Sequence, residues 1–171
     1  MQDTDRKPSD EVELDHFRQV NLGRLIEDVH FFFDQRALMY LRQSGYPMIK
    51  SADAHVMRTM QINGSRVTDM AKQAGISKQA MSKLVSGFIT HGFLAWANDP
   101  KDRRNRIVSL TDSGRALLDA GIAALLRAET EIAETIGVEE LEKFRTILLE
   151  IKTAKNIRPA QPNPQDRKRR A

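Results

Sequence analysis

The sequence contains no cysteine among its 171 residues. Disulfide bonds, zinc sites built on thiolates, thiol catalysis and cysteine-based redox sensing are therefore excluded. Aromatic residues make up only 6% of the chain, which predicts a core of mainly aliphatic and methionine side chains. No apolar run reaches about 18 residues, so we expect no membrane-spanning helix.

Chemical motifs of enzymes and metal proteins are also missing. The sequence has no nucleophile–base pair, no glycine-rich phosphate loop and no paired acids in a recognisable context, so we expect no enzyme. His16, His30, His55 and His91 lack tight metal-ligand spacing, which predicts no metal site and no cofactor. The polar start, MQDTDRKPSDEVELD, has no apolar segment of a signal peptide, and we expect a cytoplasmic protein.

The composition favours a globular chain of mildly basic character. Hydrophobic residues make up 40% of the sequence, and the formal net charge is +4. This balance permits nucleic-acid binding but does not establish it, because many other proteins carry a similar charge.

Apolar residues at helical spacing dominate both outer regions of the chain. They predict an N-terminal dimerisation helix over residues 12–46, ended by Gly45 and Pro47, and C-terminal dimerisation helices over residues 111–155. Packing within one chain is the alternative for these apolar faces. Residues 1–11 are predicted to be a flexible N-terminus, and the proline-containing, arginine-rich residues 156–171 a disordered basic tail.

The central residues 47–110 contain a helix-turn-helix pattern. A helix is expected from Ser51 to about Gln61; Thr68 is predicted to cap the next helix, Gly75 to form the turn and Ser77 to cap another. The outer face of that last helix is polar and carries Lys78, Gln79, Ser82 and Lys83. Such a helix can dock on phosphates and read base edges in the major groove. The alternative is an ordinary amphipathic helix with a solvated face.

Two short β-like runs follow, at residues 93–98 and 106–110. The intervening residues are rich in Asp, Pro and Asn, which predicts a hairpin with a charged tip. Its cations suit the negative potential of a narrow minor groove, although a soluble surface turn is the alternative. Asp102 is expected to hold the tip or to orient Arg104 through a charge-assisted hydrogen bond.

Residues 102–114, DRRNRIVSLTDSG, resemble the wing signature of the multiple-antibiotic-resistance regulator (MarR) family. The matching positions are Asp102, Arg104, Val108, Leu110, Thr111 and Gly114. Residues 67–94 are similar to the two reading helices and the start of the wing in this family. The specific resemblance covers about residues 50–114. One departure is that Trp96 and Ala97 stand where family members often carry arginine.

The resemblance implies a mainly α fold with a small β-hairpin wing, that is, a winged helix-turn-helix plus a helical dimerisation region. It implies a homodimer that binds pseudo-palindromic double-stranded DNA, more often as a repressor, with release by a small-molecule effector. The predicted DNA-binding residues are Thr68, Ser77, Lys78, Gln79, Ser82, Lys83, Lys101, Asp102, Arg103, Arg104 and Arg106. An effector crevice is expected near His30, Phe33, Tyr46 and His55, whose aromatic side chains also fit an ordinary core.

Two other functions remain open at this point. A winged-helix protein that binds nucleic acid without sequence preference would not need the base-reading side chains Gln79 and Ser82. A helical adaptor that binds other proteins would keep the outer helices and show no affinity for DNA.

Overall fold

The computed structural model describes residues 10–99 and 106–155. Seven α-helices, one short 3₁₀ helix and one β-hairpin form the described part of the chain. In order, they are α1 (Glu11–Val20), α2 (Leu22–Gln43), the 3₁₀ helix (Ser51–Asp53), α3 (Ala54–Thr59), α4 (Val67–Ala74), α5 (Lys78–Thr90), β1 (Leu94–Asn98), β2 (Arg106–Leu110), α6 (Asp112–Ile136) and α7 (Val138–Ala154). The predicted fold class, mainly α with a small hairpin, is confirmed. The predicted tail at residues 156–171 lies outside the described residues.

The N-terminal region contains two helices where the sequence predicts one. Asn21 has extended backbone angles (φ −64°, ψ 148°), and its side-chain oxygen accepts a hydrogen bond from the amide of Arg24 at 3.1 Å. Its side-chain amide donates to the carbonyl of Phe17 at 3.1 Å. Asn21 therefore ends α1 and caps α2, and the apolar spacing across this position hides the break because both helices keep a similar stripe.

Two of the predicted helix starts are wrong, whereas others are confirmed. Arg66, not Thr68, occupies the cap position of α4, and no side chain caps that helix. Ser51 begins a 3₁₀ turn rather than a long α-helix, and the Asp53 carboxylate accepts a hydrogen bond from the amide of Lys50 at 2.8 Å. Ser77 caps α5 as predicted, through a hydrogen bond from the amide of Ala80.

The predicted hairpin is confirmed, and β2 is its inner strand. The two strands pair antiparallel from Leu94 opposite Leu110 to Asn98 opposite Arg106. On its other side, β2 exchanges two backbone hydrogen bonds, each 2.9 Å long, between Ser65 and Val108. The chain just before α4 therefore acts as a short third strand, which supports a hairpin that would be marginal alone.

The core lies between α4, α5, the hairpin and α6. Its largest fully buried side chains are aliphatic or methionine: Met70, Met81, Leu117, Val56, Val85 and Val108. Phe88 and Phe93 pack edge to face at 6.0 Å, with Tyr46 beside them. The expectation of an aliphatic and methionine core is confirmed, with one small aromatic group under the wing.

Helix α6 starts in contact with the end of α5 and the start of β1. The Thr111 hydroxyl donates to the carbonyl of Gly92 at 2.6 Å and accepts from the amide of Gly114 at 3.0 Å. A Cβ atom at Gly114 would lie 1.9 Å from the carbonyl oxygen of Phe93. The Leu-Thr-x-x-Gly part of the wing signature is therefore a device for helix capping and close backbone approach.

The outer helices leave much apolar surface uncovered. Helix α1 has no buried residue, and α7 buries only Leu141 among its side chains. Helix α2 packs on α6, where Glu131 accepts hydrogen bonds from the Tyr40 hydroxyl and from Arg36. None of the helices within the described ranges is long and apolar enough to cross a membrane.

We predict that Gly114→Ala destabilises the fold by roughly 1–3 kcal/mol, because the added methyl group forces α6 away from the Phe93 carbonyl. Urea denaturation measures the free energy of unfolding. Gly87→Ala is the matched control, since a Cβ at this helical glycine meets nothing within 4 Å and gains helix propensity. Equal stability of both variants would contradict this account of α6.

Candidate nucleic-acid interface

The turn between α4 and α5 fixes the angle of the second helix. Gly75 adopts the left-handed conformation (φ 70°), and the amide of Ile76 donates to the carbonyl of Ala71 at 3.1 Å. This hydrogen-bonding pattern closes α4 and requires a residue without a Cβ atom at the turn. The predicted role of Gly75 is confirmed.

Helix α5 presents one buried face and one cationic face. Met81, Val85 and Phe88 lie in the core, whereas Lys78, Gln79 and Lys83 are exposed and Ser82 is half-buried. Ala80 is also exposed, beside Gln79. No acidic residue occurs anywhere in α5, so its exposed face suits a polyanion.

The start of α5 also offers hydrogen-bond donors. Ser77 Oγ accepts from the amide of Ala80 at 3.1 Å, which leaves its hydroxyl proton to donate elsewhere. The amides of Lys78 and Gln79 belong to the first turn, where no helical carbonyl faces them. Together with the positive end of the helix dipole, these groups can bind one phosphate oxygen.

The other predicted DNA-binding residues are spread over α4 and the hairpin. Thr68 lies exposed in the first turn of α4. Arg106 is the first residue of β2, and its guanidinium lies 5.0 Å from the ring centre of the half-exposed Trp96. Lys101, Asp102, Arg103 and Arg104 lie outside the described residues.

One ion pair, at the end of β1 where the tip loop begins, was not predicted. Arg66 donates from Nε (3.0 Å) and from a terminal nitrogen (2.6 Å) to the same carboxylate oxygen of Asp99. Asp99, which the sequence places in a polar turn, is only 7% exposed. The only sequence signal was an arginine at a helix start, where Ser, Thr, Asp or Asn is usual.

The four residues expected near an effector crevice lie in different surroundings. His30 is exposed on α2, 3.8 Å from Asp34, and Phe33 packs edge to face on Phe32. Tyr46 packs on Phe93 under the wing, and His55 is half-buried on α3. Their role in binding a ligand stays a prediction.

A cavity of about 250 Å³ lies elsewhere, between α2, the 3₁₀ helix, α3 and α6. Most of its walls are apolar, formed by Ala37, Leu38, Leu41, Ile49, Ala54, Met57, Leu118, Gly121, Ile122, Ala124 and Leu125. Ser51 and three charged residues, Asp34, Lys50 and Arg58, complete the lining. Arg58 binds Asp34 at 2.6 Å and so links α3 to α2.

Sequence reasoning missed this cavity because its apolar lining has the pattern of an ordinary core. Its charged members lie on three separate elements, and only the folded chain brings them together. Within residues 10–99 and 106–155, no group of three His, Asp or Glu side chains is placed to hold a metal ion.

Comparison with known proteins gives one curated relative and several solved structures. No family model matches the chain. The transcriptional activatory protein BadR of Rhodopseudomonas palustris is 33% identical over 66 residues, which cover 39% of this chain and 38% of BadR. The match therefore spans less than half of that relative's length.

The similar solved structures are transcriptional regulators. CouR from Rhodococcus jostii, bound to p-coumaroyl-CoA, has a TM-score of 0.63 and 23% identity, covering 78% of this chain and 92% of CouR. A MarR-family regulator from a Rhodococcus species has a TM-score of 0.62 and 22% identity, covering 77% of this chain and 91% of that protein. Wild-type MarR from E. coli has a TM-score of 0.65 and 19% identity, covering 77% of this chain and 96% of that protein.

These likenesses establish the architecture of a winged helix-turn-helix protein. More particularly, the chain has the fold of the MarR-family transcriptional regulators. The resemblance predicted from residues 50–114 is confirmed at the level of the fold.

Proposed function

We propose that the protein is a sequence-specific DNA-binding transcriptional regulator and not an enzyme. The observation that carries this proposal is the exposed, acid-free face of α5, held rigidly by Met81, Val85 and Phe88 in the core. The fold shared with solved transcriptional regulators supports it. Because such a protein acts on the chromosome, we also propose that it works in the cytoplasm.

In this proposal α5 enters the major groove. The hydroxyl of Ser77 and the first amides of α5 bind phosphate, and Lys78 and Lys83 bind phosphate or guanine edges. Gln79 pairs with an adenine edge, and Ser82 contacts a neighbouring base. Thr68, on α4, contacts the phosphate backbone of the DNA. Arg106 and the predicted wing residues, Lys101, Asp102, Arg103 and Arg104, serve the adjacent minor groove.

We predict that genomic fragments selected by the purified protein at fixed salt contain a repeated two-fold motif. Gln79→Ala should relax preference at one base pair of each half-site by about 1–3 kcal/mol, because a bidentate base contact is lost. Quantitative binding to the motif and to all single-base variants of it measures this effect.

Gln73→Ala is the matched control, since Gln73 is an exposed glutamine of α4 outside the reading face. Its base preferences should equal those of the wild type. Equal affinity of the wild type for the motif and for scrambled DNA would support a sequence-blind winged-helix protein. The absence of any DNA binding would favour the helical adaptor.

We propose that the protein is a homodimer joined by its outer helices. Large apolar side chains are exposed along α2 and α7, among them Leu22, Leu25, Ile26, Ile147, Leu148 and Ile151. Contiguous apolar surface of this extent is unusual on a monomer. A two-fold pair also presents two α5 helices to half-sites about 34–36 Å apart, as a palindromic operator requires.

We predict that Leu25→Glu weakens dimerisation about ten-fold or more, because an unpaired carboxylate is costly to bury. Sedimentation equilibrium measures the dissociation constant. Gln35→Glu adds the same charge at an exposed polar position of the same helix and should leave the dimer intact. If Leu25→Glu stays as dimeric as this control, the α2 stripe is not the interface.

The direction of regulation follows from where the operator lies relative to the promoter. Repression, the outcome predicted from the sequence, results when a bound dimer covers the polymerase site. BadR is named as an activator, so activation is the alternative outcome. Transcription from the selected promoter with and without the protein distinguishes them.

We propose that the 250 Å³ cavity receives a small effector with an apolar body and an anionic group. The apolar walls fit the body, and Lys50 and Arg58 supply cations. An anion on Arg58 would compete with Asp34 and so loosen the link between α2 and α3. CouR, which binds p-coumaroyl-CoA, shows that the same fold can hold an aromatic anionic compound.

We predict that Ala54→Phe fills this cavity and lowers binding of the aromatic sulfonate dye 1-anilinonaphthalene-8-sulfonate, while operator affinity stays unchanged. Ala52→Phe adds the same side chain at an exposed position outside the cavity and serves as the control. Dye fluorescence titrations measure both. If the two variants bind the dye equally, the cavity is not the ligand site.

A further inference from the structure

Arg66 occupies a position that local rules assign to another kind of residue. It is the cap residue of α4, yet its side chain makes no capping hydrogen bond. A cation at the N-terminus of a helix also opposes the positive end of the helix dipole. Local stability therefore does not explain an arginine here, and a role outside α4 does.

The side chain of Arg66 extends to the loop end of strand β1 instead. Two hydrogen bonds from its guanidinium end on one oxygen of Asp99, the residue directly after β1. The Asp99 side chain is 10% exposed, whereas that of Arg66 is 40% exposed. A buried carboxylate paired with a half-exposed guanidinium contributes little net stability, but it restricts the geometry of the two segments that it joins.

A second connection lies one residue earlier in the chain. The backbone of Ser65 exchanges two hydrogen bonds with Val108 in the middle of β2. Residues 65 and 66 are therefore bound to both strands of the hairpin, one through its backbone and the other through its side chain. Helix α4 starts at Val67 and packs on α5. Residues 65 and 66 therefore connect the hairpin to both α4 and α5.

We propose that Arg66 is a positioning residue for the wing: through Asp99 it fixes the loop end of the hairpin strands relative to α4 and α5. This inference rests on the proposed DNA-binding function. It implies that Arg106, at the start of β2, meets the groove next to the one that α5 occupies only while the ion pair holds. It also gives the buried Asp99 a role, since a carboxylate so close to a DNA-binding surface would otherwise repel phosphate.

If Arg66 instead contacted phosphate directly, Asp99 would affect DNA binding only through its charge. Its removal would then strengthen DNA binding, because one negative charge near the polyanion disappears. If Asp99 holds the wing through Arg66, its removal weakens binding. The two explanations therefore predict opposite signs for Asp99→Asn.

The experiment measures operator affinity by fluorescence anisotropy and DNA protection by hydroxyl-radical footprinting, with the full chain and its selected operator. We expect Asp99→Asn to weaken binding about ten-fold, the size of one lost groove contact. Protection should disappear at the flanks that the wing covers and remain in the half-site that α5 covers. Arg66→Lys, which keeps the charge but loses the two-pronged geometry, should behave similarly.

Two further variants separate positioning from general damage. Exchanging the partners, as Arg66→Asp with Asp99→Arg, should restore part of the affinity and the flank protection. Arg145→Ala removes an arginine of similar exposure (43%) from its ion pair with Glu129 on α6 and should change neither reading. If Asp99→Asn does not fold by circular dichroism, Arg66→Lys and the exchanged pair decide the question.

Unchanged or tighter operator binding by folded Asp99→Asn, or unchanged flank protection in Arg66→Lys, would overturn the proposal. Failure of the wild type to bind any DNA would instead overturn the proposed function. The fluorescence of Trp96, the only tryptophan of the chain, reports the wing directly: its emission should shift in both single variants and not in Arg145→Ala.

Discussion

The start of α6 is held against the backbone that connects α5 to β1, and this contact joins the long helices to the hairpin. Thr111 binds the carbonyl of Gly92, and Gly114 lets α6 pass against the carbonyl of Phe93. At Gly114 the two backbones approach with no room for a side chain, so the distance between α6 and this connection is closely fixed.

Helix α6 meets α2 at a second polar connection. Glu131 accepts from Arg36 and from the Tyr40 hydroxyl, and the Arg127 guanidinium lies 3.9 Å from the Tyr40 ring centre. Helix α2 in turn reaches α3 through Asp34 and Arg58. The cavity lies between these connected helices, beside the Arg58–Asp34 ion pair. Discrete polar links between rigid helices are the kind of element that can adopt two arrangements.

Features written in short stretches of sequence were predictable. The caps at Ser77 and Thr111 and the turn at Gly75 each depend on residues within about four positions, which is the range of helix-terminal hydrogen bonds. The Arg66–Asp99 pair joins residues 33 positions apart, and no local pattern marks it. The cavity likewise depends on how small residues of α6 meet α3, as where Gly121 leaves room for Met57. The ion pair and the cavity both depend on packing between distant elements, which sequence patterns do not reveal.

On the hairpin, the Arg106 guanidinium lies beside the Trp96 ring, at a position where sequences that resemble this one often carry arginine instead of tryptophan. Trp96 lies opposite Val108 and Asn98 opposite Arg106, so Trp96 and Arg106 are diagonal neighbours on one face of the hairpin. The π face of the indole attracts the guanidinium and restricts its rotamers. Without that partner, an arginine at the loop end of an exposed hairpin would have more side-chain entropy to lose on binding any ligand. Trp96 therefore supplies order rather than charge beside Arg106. The Arg66–Asp99 pair restricts the hairpin as a whole, because it orients the strands that carry Trp96 and Arg106.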